Sequence, residues 1–208
     1  MRHIYLHGFA SRPASRKATY FHTQFLEHGI DLTIPALDGG NFPALTVSGQ
    51  LDIVQQAIGG EESVLIGSSL GGYLAALAAS RNSAVKAVVL LAPAFCFPRR
   101  WEEELGAEAF AAWQSEGSRE VFHYGEGKPV QIGFGLIRDG LNYEDYPDVE
   151  QRALVLHGVN DDVVPVAFSR EFVRRHPQTA ELIELDTDHE MASVLPDLWN
   201  HTRRFLFP

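Results

Sequence analysis

Short apolar runs alternate with helix-patterned stretches along most of this chain, and that alternation limits what it can fold into. The runs His3–Leu6, Leu32–Ile34, Ser63–Ile66, Val85–Leu91, Ala153–Leu156 and Glu181–Leu185 read as strands. Val85–Leu91 is nearly unbroken in its apolar character, the mark of a strand covered on both faces. Between the runs, helical patterns span Ser15–His28, Val47–Ile58, Leu70–Arg81, Pro165–His176 and Leu195–Phe207. Gly29 stands where a helix C-terminus needs a residue free to turn left-handed. Strand–helix alternation predicts a parallel sheet with helices on both faces, and right-handed crossovers make it doubly wound. The expected fold is therefore three-layer α/β, with a mostly parallel sheet of about six strands. In such sheets ligands bind at the strands' carboxyl ends, where strand order reverses.

One stretch breaks the rhythm. Residues 93–149 hold 10 of the 22 aromatic side chains. Glu102-Glu103-Glu104 opens a helix there, and Val121–Tyr124 and Val130–Ile132 flank Gly125-Glu126-Gly127 as a hairpin. Either this segment is a connection that packs its own small core, or it is a cap over the active site of a single domain spanning 1–208. Long connections in compact domains are often lids, which favours the cap.

Chemistry is expected just beyond the strands. Gly67-Ser68-Ser69-Leu70-Gly71 follows Val64-Leu65-Ile66 and opens an alanine-rich helix. That strand–turn–helix setting is what a nucleophile elbow requires, with Ser69 at its tip. A serine hydroxyl is a poor nucleophile without a base, and the base must itself be oriented. In this architecture the order is serine, acid, histidine. Asp161 follows the strand ending in His157-Gly158, and His189 follows the last strand. These are the expected acid and base. Asp162, Asp186 and Asp188 compete as acids. His157 precedes the acid and reads as structural, His201 as a surface residue, and His123 as an outside candidate for the base. Two backbone N–H groups must hold an oxyanion. Leu70, next to the nucleophile, offers one, and Phe9, in the turn after the first strand, offers the other.

Other classes fit poorly. There is no Gly-x-x-x-x-Gly-Lys and no Gly-x-Gly-x-x-Gly, so no nucleotide loop is expected. The nine histidines and one cysteine suggest no metal site. No cofactor is called for. The net charge of −10 disfavours nucleic acid and anionic lipid, and points to neutral or cationic small substrates. Residues 93–149 carry 11 acidic and 5 basic side chains, which argues mildly against a polyanionic carrier such as coenzyme A. Cys96 lies between Phe95 and Phe97 and reads as an inert packed thiol. No signal peptide or membrane span is evident, so a soluble cytoplasmic protein is expected.

His7-Gly8-Phe9, Gly67 through Gly72, His157-Gly158 through Asp161 to Val164-Pro165, and Asp188-His189 together resemble the α/β-hydrolase superfamily. More narrowly, the chain resembles the compact bacterial esterases of the YqiA/YcfP type, which also start at a strand leading into His-Gly-Phe. The resemblance implies hydrolysis of acyl esters or thioesters by a triad of Ser69, Asp161 and His189. The leading expectation is a serine hydrolase acting on carboxylic esters of small or medium acyl groups. A thioesterase or peptidase on the same triad, or a non-catalytic binding module of the same fold, is the alternative.

Overall fold

The computed structural model describes residues 1–207. Six strands form one wholly parallel sheet: β1 (Arg2–Leu6), β2 (Leu32–Thr33), β3 (Ser63–Ser68), β4 (Val85–Leu91), β7 (Arg152–Gly158) and β8 (Ala180–Leu185). Their spatial order is β2-β1-β3-β4-β7-β8. The chain thus moves outward from β1 to β2 and returns across it to β3. The order reverses between β1 and β3, and the carboxyl ends of these two strands carry Phe9 and Ser69.

Period-two alternation assigns the side chains to two layers. Ile4, Leu6, Leu65, Val88, Leu90, Ala153 and Val155 enter one core, shared with α2 (Val47–Ile58), α3 (Leu70–Ala79) and α7 (Ala167–Arg175). Tyr5, Val64, Ile66, Val89, Leu91, Leu154 and Leu156 enter the other, with α1 (Arg16–Glu27) and α8 (Leu195–Leu206). All ten residues of α3 are buried. Its alanines keep it thin enough to lie under the helices beside it.

Residues 93–149 fold as α4 (Phe97–Leu105), α5 (Ala107–Glu116), the antiparallel hairpin β5 (Ser118–His123) and β6 (Lys128–Gly133), and α6 (Gly135–Gly140). Trp113, Ile132 and Phe134 of this segment belong to the same continuous core as α2 and α3. Among the described residues, no helix is long and apolar enough to cross a membrane.

Candidate active site

The turn from β3 into α3 forces Ser69 to φ 55°, ψ −119°, a conformation that costs an L-residue of order 1–3 kcal/mol. Two glycines make this turn possible. A Cβ on Gly67 would stand 2.2 Å from the Gly71 carbonyl oxygen, and one on Gly71 would stand 2.1 Å from the Leu6 carbonyl oxygen. The side chain of Ser69 is thereby lifted clear of the sheet. Among the described residues, the non-glycine positions with positive φ are Ala10, Ser69, Ala92, Cys96 and Met191, and each lies in a connection leaving a strand's carboxyl end. Backbone strain is concentrated on that edge of the sheet.

Three side chains meet there in one hydrogen-bonded row. His189 Nε2 is 3.1 Å from Ser69 Oγ, and His189 Nδ1 is 2.7 Å from Asp161 Oδ2. The other carboxylate oxygen of Asp161 accepts the backbone N–H groups of Val163 at 3.0 Å and Val164 at 2.7 Å. Burial opposes the charge of Asp161. Hydrogen bonds from His157, His189 and the Val164 N–H outweigh it and hold the carboxyl well below its ordinary range.

The rival acids lie elsewhere. Asp162 is exposed. Asp186 accepts from Asn160 Nδ2 at 2.8 Å, and Asp188 accepts from the Met191 N–H at 3.0 Å. His123 is buried against Phe42 and accepts the Glu126 N–H through Nδ1, with no hydrogen bond to Ser69. His201 is half-buried on α8.

His157 has more to do than the sequence suggests. Its ring is fully buried, with Nε2 2.8 Å from the Val164 carbonyl and 3.2 Å from Asp161 Oδ2. A carbonyl can only accept, so Nε2 carries the proton and Nδ1 takes the Ser169 hydroxyl at 2.7 Å. His157 therefore braces the Asp161 carboxylate from behind. The signal available in the sequence was its four-residue spacing from Asp161 at a strand end.

His7 has an equally defined part. Its Nε2 accepts the Leu37 N–H at 3.3 Å, so its Nδ1 donates to the Gly8 carbonyl at 3.0 Å. Burial pushes the His7 imidazolium down from its ordinary value, in keeping with this neutral tautomer. In a trans peptide C=O and N–H point in opposite directions. With the Gly8 carbonyl held toward His7, the Phe9 N–H is turned the other way. Phe9 and Leu70 both lie beside Ser69, and neither N–H has a backbone partner outside regular structure among the described residues.

A cavity of about 770 Å³ opens over this row. The β1–α1 connection and the turn at Ser69 form one wall. Phe97, Arg100 and Trp101 of α4 and Val121, Phe122 and Tyr124 of the hairpin form the other. Arg100 ties α4 to the loop after β7, donating to the Val163 carbonyl at 2.6 Å, and pairs with Glu104 at 2.6 Å within α4. Cys96 is half-buried, and burial pushes its thiol up, away from reactivity. Among the described residues, no group of three or more histidine, cysteine or carboxylate side chains is placed to hold a metal.

Residues 2–205 match the model of a family described as "Uncharacterised protein family (UPF0227)". The chain belongs to this family. No curated protein matches it in sequence. Solved structures supply the fold comparison. Alpha/beta hydrolase domain-containing protein 10 from mouse is 21% identical with a TM-score of 0.83, over 98% of this chain and 88% of that one. A protein of Agrobacterium vitis S4, provisionally classed as a hydrolase, is 23% identical with a TM-score of 0.84, over 98% and 87%. Est1E from Butyrivibrio proteoclasticus is 18% identical with a TM-score of 0.77, over 99% and 88%. The UPF0227 chain thus has the α/β-hydrolase fold, the fold that the resemblance of its motifs implied.

Proposed function

We propose that this protein is a serine hydrolase that cleaves carboxylic esters of small or medium acyl groups through an acyl-enzyme. The observation that carries this reading is the row Ser69–His189–Asp161, with both imidazole nitrogens engaged. Asp161 fixes the proton of His189 on Nδ1 and leaves the Nε2 lone pair facing the Ser69 hydroxyl. Ser69 Oγ attacks the ester carbonyl carbon while His189 Nε2 takes the hydroxyl proton. The carbonyl oxygen becomes an oxyanion held by the N–H groups of Leu70 and Phe9. Collapse breaks the bond to the alcohol oxygen, which leaves with the proton from Nε2. Water then attacks the acyl-serine by the same route in reverse, releasing the acid and restoring Ser69. Preorganised donors of this kind are each worth about 10²–10³ in rate.

In this reading residues 93–149 act as the cap. Phe97, Trp101, Val121 and Phe122 give the cavity an apolar wall suited to an acyl chain. The test is a series of p-nitrophenyl acyl esters of increasing length, with the matching thioesters run in parallel. Turnover rising to an optimum at short or medium chains supports the proposal. No turnover of any ester by folded protein refutes it, and faster turnover of thioesters would move the substrate class to thioesters.

A further inference from the structure

The cavity has a second, chemically different end. There the β1–α1 connection and the first turn of α1 bring Lys17 inward, and Tyr5 of β1 lies at the base. The Lys17 ammonium makes one hydrogen bond, to the backbone carbonyl of His189 at 3.3 Å. Among the described residues no carboxylate lies within 4.0 Å of it, so it forms no ion pair. Burial pushes its ammonium down from the ordinary value, although Glu190, Asp161 and Asp188 act in the opposite sense. A partly desolvated cation with two unused donors is costly unless something anionic meets it.

Tyr5 supplies a second, independent observation. The residue is fully buried, and its hydroxyl makes no hydrogen bond of normal geometry, although the Ser68 hydroxyl is close by. Burial also pushes the phenol up, which keeps it a donor. Nearly every buried polar group in a folded protein finds a partner, so an orphan bordering a cavity points to something that enters it. Helix α1 adds to this. Its first turn holds no acidic residue and its N-cap Ser15 makes no capping bond, leaving a positive helix end at the same wall. The neighbouring Arg12 and Arg16 are exposed and basic; of the two glutamates lining the cavity, Glu104 is paired with Arg100, which leaves Glu190.

We propose that this end of the cavity is a subsite for a carboxylate on the substrate, received by the Lys17 ammonium and the Tyr5 hydroxyl. The inference deepens the hydrolase reading and rests on it for the substrate, though not for the binding itself. One free ammonium and one phenol match the single charge and two oxygens of a carboxylate. A dianionic phosphate would bring a second charge with no second buried cation to meet it. The acidic balance of the whole chain therefore does not extend to this pocket, and the expectation of a neutral or cationic substrate is revised here.

The test compares matched ester pairs in the parent protein and in Lys17→Met. One pair carries the carboxylate on the acyl side: 4-nitrophenyl hemiglutarate and its methyl ester. The other carries it on the alcohol side: 3-acetoxybenzoate and its methyl ester. In the parent, kcat/KM for the acid exceeds that for its neutral isostere in at least one pair. Lys17→Met lowers that ratio about tenfold or more, as loss of a charged hydrogen bond does. If Lys17 serves only to hold the His189 loop, both members fall together and the ratio stays, which overturns the proposal. Tyr5→Phe should lower the same ratio in the same direction. Binding of glutarate, measured by calorimetry without any turnover, separates the two claims. Glutarate binding that Lys17→Met abolishes supports the subsite even if no ester is cleaved. Neutral-ester turnover with no acid preference and no glutarate binding sinks the subsite alone. Inorganic phosphate binding more tightly than glutarate would overturn the assignment to a carboxylate.

Discussion

Replacing Asp161 by Asn changes one oxygen to NH₂, and the surrounding hydrogen bonds dictate which one. The Oδ1 position receives two backbone N–H groups, at 3.0 and 2.7 Å. An amide has only one oxygen, so that oxygen belongs there. The NH₂ then takes the Oδ2 position, 2.7 Å from His189 Nδ1 and 3.2 Å from His157 Nε2, whose proton stays on the Val164 carbonyl at 2.8 Å. His189 can keep this bond only by accepting through Nδ1, which moves its proton to Nε2. Nε2–H then faces Ser69 Oγ at 3.1 Å and has no lone pair to receive the serine proton. The reverse amide orientation would set NH₂ against two N–H groups. Leaving one buried and one part-buried donor unmet costs about 2 kcal/mol, so that orientation is populated to a few per cent. The expected loss in kcat therefore lies between about thirtyfold, if that minor orientation carries the turnover, and about 10⁴-fold, if only the wrong tautomer is present. Burst kinetics with an activated p-nitrophenyl ester measure it, and nitrogen chemical shifts of His189 report the tautomer. An Asp161→Asn protein that is folded and retains more than a tenth of parent kcat would refute this reasoning.

Further outcomes follow from the same geometry. Asp162→Asn changes an exposed side chain outside the row and should leave kcat within about twofold, since surface substitutions are usually near neutral. Gly71→Ala drives a methyl into the Leu6 carbonyl, 2.1 Å away in rigid backbone, and should cost about 3 kcal/mol or more by urea denaturation. Arg100→Met frees the Val163 carbonyl beside the acid and should lower kcat about tenfold, with KM changing less, in steady-state kinetics. The folded carboxyl of Asp161 is depressed below its usual 3.8, so the stability it contributes is fully present above about pH 4 and is lost as the pH falls through the folded value. The stability gap between the parent and Asp161→Asn should accordingly shrink between pH 6 and pH 3 in denaturant titrations.

The sheet could be read from the sequence because each strand is a local apolar run with its own turn signal. Ile34 was expected in β2, but β2 stops at Thr33, ahead of Pro35, whose ring restricts the residue before it. Helix α1 starts one residue after Ser15 because Ser15 is its N-cap in extended conformation. The segment 93–149 was harder to read. Gly106 at φ 78° splits a single polar, glutamate-rich stretch into α4 and α5, and α5 buries only Trp113 of its ten residues. A helix held by one buried ring leaves little periodicity in its sequence. The hairpin was visible because Gly125-Glu126-Gly127 punctuates two short runs of valine, isoleucine and aromatic residues, which favour strands.

At the site, Ser69, Asp161 and His189 stood out because each follows a strand's carboxyl end. The contacts of His157 with Asp161, of His7 with the Gly8 carbonyl and of Arg100 with Val163 did not. They depend on ring orientation and on packing between distant segments, and spacing along the chain encodes neither. Lys17 was hidden for the same reason. It sits among basic and hydroxyl residues at a helix start, where an exposed lysine is ordinary, and only the fold turns it toward His189 across 172 positions.

The central claim is that Ser69 is a nucleophile activated by His189. A fluorophosphonate probe tests it most directly, because it phosphonylates a serine only where a base and an oxyanion site act together. Peptide mapping of labelled, folded protein should place the adduct on Ser69 alone. The adduct should vanish in Ser69→Ala and fall at least a hundredfold in rate in His189→Ala. Absence of labelling in the folded parent, or labelling that persists unchanged in His189→Ala, would contradict the account.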